Sequence, residues 1–301
     1  MEVGFIGLGA MGGPMAKRLV EAGCGVIGFD VSPAAVARFE AAGGQPAGSA
    51  KAVGDRAEIV LCSLPNAAIV AEVVHGPDGL LAGSARRTYV ELSTIGAPAA
   101  RAISQSCGQA GVGYVDSPVS GGVAGAEAGT LAIMVSGPAP AVDSVEPWLD
   151  QLGSVIRVGS LPGQAQVVKL ANNLLSASAI VLSTEAVLLA VKSGVDPRVA
   201  MEVMSQGTGR NSAVADKFPR RVVTRGFDSG FRLALLAKDL RLCLAAADDV
   251  DAPMLAGRCV ESLVALAESQ FGHEADSLDY VRLVEGWAGA RIDDSDWQSR
   301  V

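Results

Sequence analysis

The chain has 301 residues, half of them hydrophobic and 19% charged, with a net charge of −8. That length and apolar content suit one large or two ordinary domains with a sizeable core, and the acidic balance argues against a nucleic-acid-binding face. Five scattered cysteines with no C-x-x-C pair argue against a disulfide framework or a zinc ribbon and suit buried reduced thiols.

In chain order, Val3, Phe5 and Ile6 read as a short apolar strand that starts directly at the N-terminus, with no secretory-type segment before it. Gly7, Gly9 and Gly12 follow in G-x-G-x-x-G spacing, Leu8, Ala10 and Met11 completing the turn. Residues 13–22 read as a helix and Val26–Phe29 as a second strand, ending in Asp30, 18 positions after Gly12. In this context Gly7 permits the tight turn, Gly9 leaves room for a pyrophosphate, and Gly12 lets helix and strand pack closely. The helix N-terminus favours phosphate. Asp30 is placed to accept from the adenosine ribose hydroxyls and to repel a 2′-phosphate. No arginine occurs in Val31-Ser32-Pro33, so NAD(H) is expected over NADP(H).

Ser32 then caps a helix with Pro33 at its first position. Further strands are predicted at Ile59–Ser63, Thr88–Leu92, Tyr114–Asp116, Leu131–Val135 and Val155–Val158, with a helix over Pro98–Gln109. Strands alternating with helices imply a largely parallel, doubly wound Rossmann-type sheet. Leu64-Pro65 lies at its ligand-binding carboxyl edge. Residues 116–130, rich in Gly, Ala and Ser, fit either a flexible surface loop or an anion cradle made by Ser120-Gly121-Gly122.

From Gly163 the period changes. Residues 164–192 carry helical apolar spacing with no Gly or Pro, a helix of about 43 Å. Its interior Asn, Ser, Thr and Glu residues make it a poor membrane span and a good buried helix. Further helices are expected at 197–205, 211–224 with a break at Pro219, 232–249, 253–270 and 276–288. The fold class is therefore α/β: a doubly wound domain over 1–162, then an all-α domain over 163–301, with the long helix between. Lys169, Asn173 and Ser176 share one face of that helix, with Asn172 at its edge. Lys169 is either a lysine snorkelling to solvent or a functional one, and adjacent amides in a buried helix need partners. Lys238-Asp239 reads alone as a surface pair. The polar stretch 207–212 is a cleft wall or a connector. His75 and His273 sit in turn-like contexts, which disfavours histidine chemistry and, with no ligand cluster, a metal site.

Four segments together resemble the β-hydroxyacid dehydrogenase family, which includes 3-hydroxyisobutyrate dehydrogenase and tartronate semialdehyde reductase. They are Gly7–Gly12, Asp116–Gly122, Gly163–Asn173 and Lys238-Asp239-Leu240, in matching order over nearly the whole chain. The resemblance implies that Lys169 is the general acid/base and Asn173 its functional neighbour. It implies that Ser120, Gly121 and Gly122 bind the substrate carboxylate, and that Lys238 lines the cofactor and substrate cleft. Leu64, Pro65 and Thr94 match dinucleotide-contacting positions. Burial and a positive Lys238 are expected to lower the Lys169 pKa. The implied activity is hydride transfer between NAD(H) and a small β-hydroxy acid or its semialdehyde, in a cytoplasmic homodimer or homotetramer without metal, membrane or nucleic-acid partners. An NADPH-dependent reductase of short aldehyde acids and a non-catalytic dinucleotide-binding module are the competing readings. A 6-phosphogluconate dehydrogenase calls for a longer helical domain, and imine reductases usually depart from lysine at the catalytic position. Residues 207–230 and the C-terminal end depart from the mammalian-type pattern, which leaves the substrate open.

Overall fold

The computed structural model describes residues 2–85 and 88–294. The last seven positions of the expected helical domain lie outside the described residues. Backbone packing divides the chain into two compact units, up to Leu170 and from Ala171 on.

The first unit is built on one sheet. Its strands are β1 (Glu2–Ile6), β2 (Gly25–Phe29), β3 (Gln45–Pro46), β4 (Ile59–Cys62), β5 (Thr88–Glu91), β6 (Gly113–Asp116), β7 (Val119–Ser120), β8 (Leu131–Ser136) and β9 (Gly153–Gly159). The order β3-β2-β1-β4-β5-β6 is parallel throughout. β6 and its continuation β7 pair antiparallel with β8, and β9 lies parallel to β8. The order reverses between β1 and β4, the switch point at which open α/β sheets bind ligands. Helices α1 (Gly12–Glu21), α2 (Pro33–Ala41), α3 (Ala50–Gly54), α4 (Ala67–His75), α5 (Ala97–Gln109), α6 (Gly122–Ala128) and α7 (Ala139–Leu149) connect the strands.

Alternation along the strands feeds two cores. Val3, Phe5, Leu61, Val90 and Val115 join one. Ile6, Val60, Cys62, Tyr89 and Tyr114 join the other. Both faces are therefore covered, which is why these strands read as continuous apolar runs. Side-chain oxygens of Ser32, Ser49 and Asn66 cap α2, α3 and α4, each satisfying a first-turn N–H.

The long helix α8 (Gln164–Lys192) spans 29 residues. By length and composition it could cross a bilayer, with a mean hydropathy of 2.0 over its most apolar window, so the polar interruptions weaken that signal less than expected. Beyond Leu170 it packs Ala177, Ile180, Val181, Val187 and Leu188 into the core of the second unit. That unit continues with α9 (Pro197–Gln206), a π-helical segment (Ala213–Val222), α10 (Leu233–Asp248), α11 (Leu255–Phe271) and α12 (Asp279–Ala288). Its strand-like pairing among the described residues is a single bridge, Arg232 to Asp276.

Four sequence expectations change. The stretch 116–130 is structured, holding β7 and α6, because Gly121 and Gly122 take φ of 137° and 64° and turn the chain straight from strand into helix. Pro219 does not interrupt its helix: the segment is wound with π-type turns that run through it. Cys259 is exposed and Cys24 half-buried, while Cys62, Cys107 and Cys243 are buried. His75 is the last residue of α4 and exposed rather than part of a turn.

Candidate active site

The turn between β1 and α1 is fixed by backbone contact. Gly7 has φ +89°, and a Cβ there would stand 2.2 Å from the Ser63 carbonyl oxygen. A Cβ on Gly12 would stand 1.8 Å from the Gly7 oxygen, whereas one on Gly9 would meet nothing within 4 Å. Gly7 and Gly12 thus close the turn and Gly9 leaves a bare backbone surface. No side chain caps α1; the Gly13 N–H donates to the Gly9 carbonyl at 2.9 Å and Pro14 has no N–H, so it is chiefly the helix dipole that favours an anion at this end. Leu8, Ala10 and Met11 form the rest of this turn. The Asp30 carboxylate accepts from the Leu8 N–H at 2.6 Å and the Ser32 N–H at 2.7 Å. It therefore braces the glycine turn from the end of β2, a role that residue spacing alone does not reveal. These features fit a dinucleotide.

Next to this turn, the Leu64 N–H donates to the Ser93 hydroxyl at 2.8 Å. This ties the Leu64-Pro65 loop to the segment that carries Thr94. Beneath it lies Glu91, fully buried. It accepts from the Tyr89 hydroxyl at 2.6 Å and the Ser93 N–H at 2.8 Å. Burial pushes its pKa from 4.5 up to about 7, against the lowering effect of the Ser93 and Tyr89 hydrogen bonds.

Asp116, also buried, ends β6 and opens the segment that leads to Ser120. It accepts from the Gln166 side-chain amide at 2.7 Å, and from the N–H groups of Gly163 at 3.1 Å and Gln166 at 3.3 Å. Burial raises its pKa to about 6, and the bonds from Gln166 and Gly163 hold it down. Ser120 pairs with Ala132 at the end of β7. Gly121 and Gly122 follow with positive φ and exposed backbone. Lys169 is 8% exposed, which excludes the snorkelling reading.

In the second unit, the buried Asn173 donates to Asp239 at 2.6 Å and accepts from the Asn172 amide at 3.3 Å. Lys238, half-buried, stands 3.2 Å from the same Asp239 carboxylate. Lys238-Asp239 is therefore no surface pair: Asp239 is 3% exposed and joins Lys238 to Asn173. The shared face of α8 extends to Ser176, which accepts from the half-buried Lys217 at 2.8 Å. Burial lowers the Lys217 pKa.

Sequence reasoning missed Glu91, Gln166 and Asp239. The signal for two of them was present: Gln166 lies one turn before Lys169, and Asp239 directly follows Lys238. Among the described residues no group of three or more His, Cys, Asp or Glu is placed to hold a metal ion.

Comparison with known proteins places these parts. Residues 2–160 match the NAD-binding domain of 6-phosphogluconate dehydrogenase. Residues 163–284 match the NAD-binding domain of NADP-dependent 3-hydroxyisobutyrate dehydrogenase. A 3-hydroxyisobutyrate dehydrogenase of Pseudomonas aeruginosa is 37% identical over 295 residues, covering 96% of this chain and 99% of its own. The 2-(hydroxymethyl)glutarate dehydrogenase of Eubacterium barkeri is 36% identical over 84% of this chain and 85% of its own. The solved structure of Mycobacterium tuberculosis 3-hydroxyisobutyrate dehydrogenase with L-serine superposes with a TM-score of 0.86 at 30% identity, over 94% of this chain and 98% of that one. The chain thus belongs to the β-hydroxyacid dehydrogenase family, and is an NAD(P)-dependent dehydrogenase that acts on the CH–OH group of a hydroxy acid.

Proposed function

We propose that the chain interconverts a short β-hydroxy acid and its semialdehyde, with Lys169 as the acid/base and NAD(H) preferred to NADP(H). The burial of Lys169 on a helix that offers Asn173 one turn further on carries this reading. Bound at the Gly7–Gly12 turn, NAD supplies the hydride acceptor or donor. In reduction the Lys169 ammonium donates a hydrogen bond and then a proton to the substrate oxygen. In oxidation the neutral amine removes the hydroxyl proton. Asn173, held by Asp239, orients the groups on its helix face. Ser120, Gly121 and Gly122 hold the substrate carboxylate, which fixes the reacting carbon, and Lys238 contributes charge that is locally paired with Asp239.

The preference for NAD rests on Asp30 and on Val31, which is 88% exposed and presents no cation to a 2′-phosphate. Leu175, Leu182 and Leu189, at seven-residue intervals on α8, are 71%, 61% and 70% exposed. This stripe supports a homodimer or homotetramer that covers it. Five free cysteines support a reducing, cytoplasmic setting.

The test is absorbance of the reduced nicotinamide with NAD⁺ or NADP⁺ against 3-hydroxyisobutyrate, 3-hydroxypropionate, D-glycerate, L-serine and 4-hydroxybutyrate. Turnover of one or two acids with NAD⁺ is expected, and Lys169→Ala should lower it by about 10²–10⁴ while NADH still binds. Near-normal turnover in that variant would refute the assignment of Lys169.

A further inference from the structure

Gln166 uses its whole hydrogen-bonding capacity. Its side-chain oxygen accepts from the N–H groups of Ile95 at 2.9 Å and Gly96 at 3.0 Å. Its side-chain nitrogen donates to the Ser93 carbonyl at 3.0 Å and to Asp116 at 2.7 Å. The side chain is 0% exposed, so no water substitutes for a lost partner. Two donors and two acceptors on one planar group of this length are found only in glutamine. Glutamate has the acceptors without the amide donors, methionine has the length alone, and asparagine is one methylene shorter.

The partners belong to separate stretches of chain. Ser93, Ile95 and Gly96 flank Thr94. Asp116 opens the segment that ends in Ser120, Gly121 and Gly122. Gln166 itself lies in the first turn of α8, three residues before Lys169, so the two are neighbours on that helix surface. Asp116 reinforces the tie, because its carboxylate also accepts the Gly163 and Gln166 N–H groups where α8 begins. Uncapped N–H groups at a helix start favour such an anion. The rotation and axial position of Lys169 are thus set from the same point as the loop that carries Thr94 and the strand end that leads to Ser120.

We infer that Gln166 is a positioning residue for the reaction: it holds the helix turn of Lys169 in register with the Thr94 loop and the Asp116–Gly122 segment without itself meeting the substrate. The inference rests on the role proposed for Lys169. A neutral side chain is required at this point. An acid there faces the Ser93 carbonyl and the Asp116 carboxylate with acceptors on both sides, and the segments part.

Four variants measured with NAD⁺ and the best acid of the panel test this: Gln166→Glu, Asp116→Asn, the two combined, and Gln166→Met. Gln166→Glu is expected to lower kcat by about 10²-fold, the scale of a misplacement of about 1 Å. Its loss should deepen as pH rises from 6 to 8, because a protonated glutamic acid still donates one hydrogen bond and the carboxylate none. In the combined variant the donor moves to the other partner, and kcat should recover at least tenfold over Gln166→Glu. Gln166→Met, uncharged and of similar length, should lose kcat at every pH alike and show no added loss at high pH. The proposal is overturned if Gln166→Glu and Gln166→Met both keep kcat within twofold. It is equally overturned if the combined variant gives no recovery, or if the loss follows the melting temperature with no change in the pH profile. Lys169→Ala measured in parallel separates the two readings. Normal turnover there overturns the role of Lys169. Normal turnover in the Gln166 variants beside an inactive Lys169→Ala overturns the positioning role alone.

Discussion

Asp30 has an observed part in the structure of the turn, beside the part proposed for it in cofactor selection. Each of its two oxygens accepts one N–H, from Leu8 and from Ser32, and keeps acceptor capacity for a ribose hydroxyl, so it shapes the turn, and on the proposed reading its charge repels a 2′-phosphate. Asp30→Asn keeps an acceptor for one of these amides and removes the charge. The expected outcome is a narrower ratio of kcat/KM between NAD⁺ and NADP⁺, chiefly through a lower KM for NADP⁺, and steady-state assays with both cofactors measure it. An unchanged ratio would show that the carboxylate does not select. Glu91 offers a test of a different kind. Below its ordinary pKa of 4.5 the folded and unfolded chains both hold the proton. Between 4.5 and about 7 the unfolded chain releases it while the buried carboxyl keeps it, so stability falls as pH rises through this window and levels off above. The difference amounts to about 3 kcal/mol at most. Asp116, raised to about 6, adds a smaller fall from about pH 4 to 6. Glu91→Gln keeps the shape and removes the ionisation. Its melting temperature should decline less from pH 5 to 7 than that of the wild type and lie above it at pH 8. Parallel curves for the two proteins would contradict this.

At the scale of elements, α1, α2 and α8 were legible because local rules set them. The glycine spacing fixed the start of α1, Ser32 and Pro33 the start of α2, and an uninterrupted apolar period the 29 residues of α8. The stretch 116–130 was not legible. Small residues carry little periodic signal, and the conformations of Gly121 and Gly122 that fold it depend on pairing with β8. The π-helical segment was hidden for a related reason: proline predicts a break, and only packing of Val214, Phe218 and Val222 into the second core keeps the chain helical there. The exposed leucine stripe of α8 makes the prediction proper to this scale. Leu182→Lys should shift the mass seen by light scattering towards the monomer while leaving the helical circular dichroism unchanged. A wild-type protein that is already monomeric would remove the argument.

Across the whole molecule, the amino-acid sequence by itself determined the alternation of strands and helices, the change of period near residue 163, the dinucleotide turn, and the residues of the Lys169 and Lys238 segments. Each is a local matter of periodicity, backbone freedom or spacing, and such signals survive without knowledge of what lies opposite. The tertiary structure alone decided which polar groups are buried and what they meet. Lys169 went from a candidate for solvent to an interior group. Asp239 proved to be the anchor of Asn173, 66 residues away in sequence. Gln166 emerged as the tie between stretches 50 and 71 residues distant. A buried polar group must find its partners wherever the fold brings them, and those partners are set by strand order and helix packing, which no short window of sequence contains.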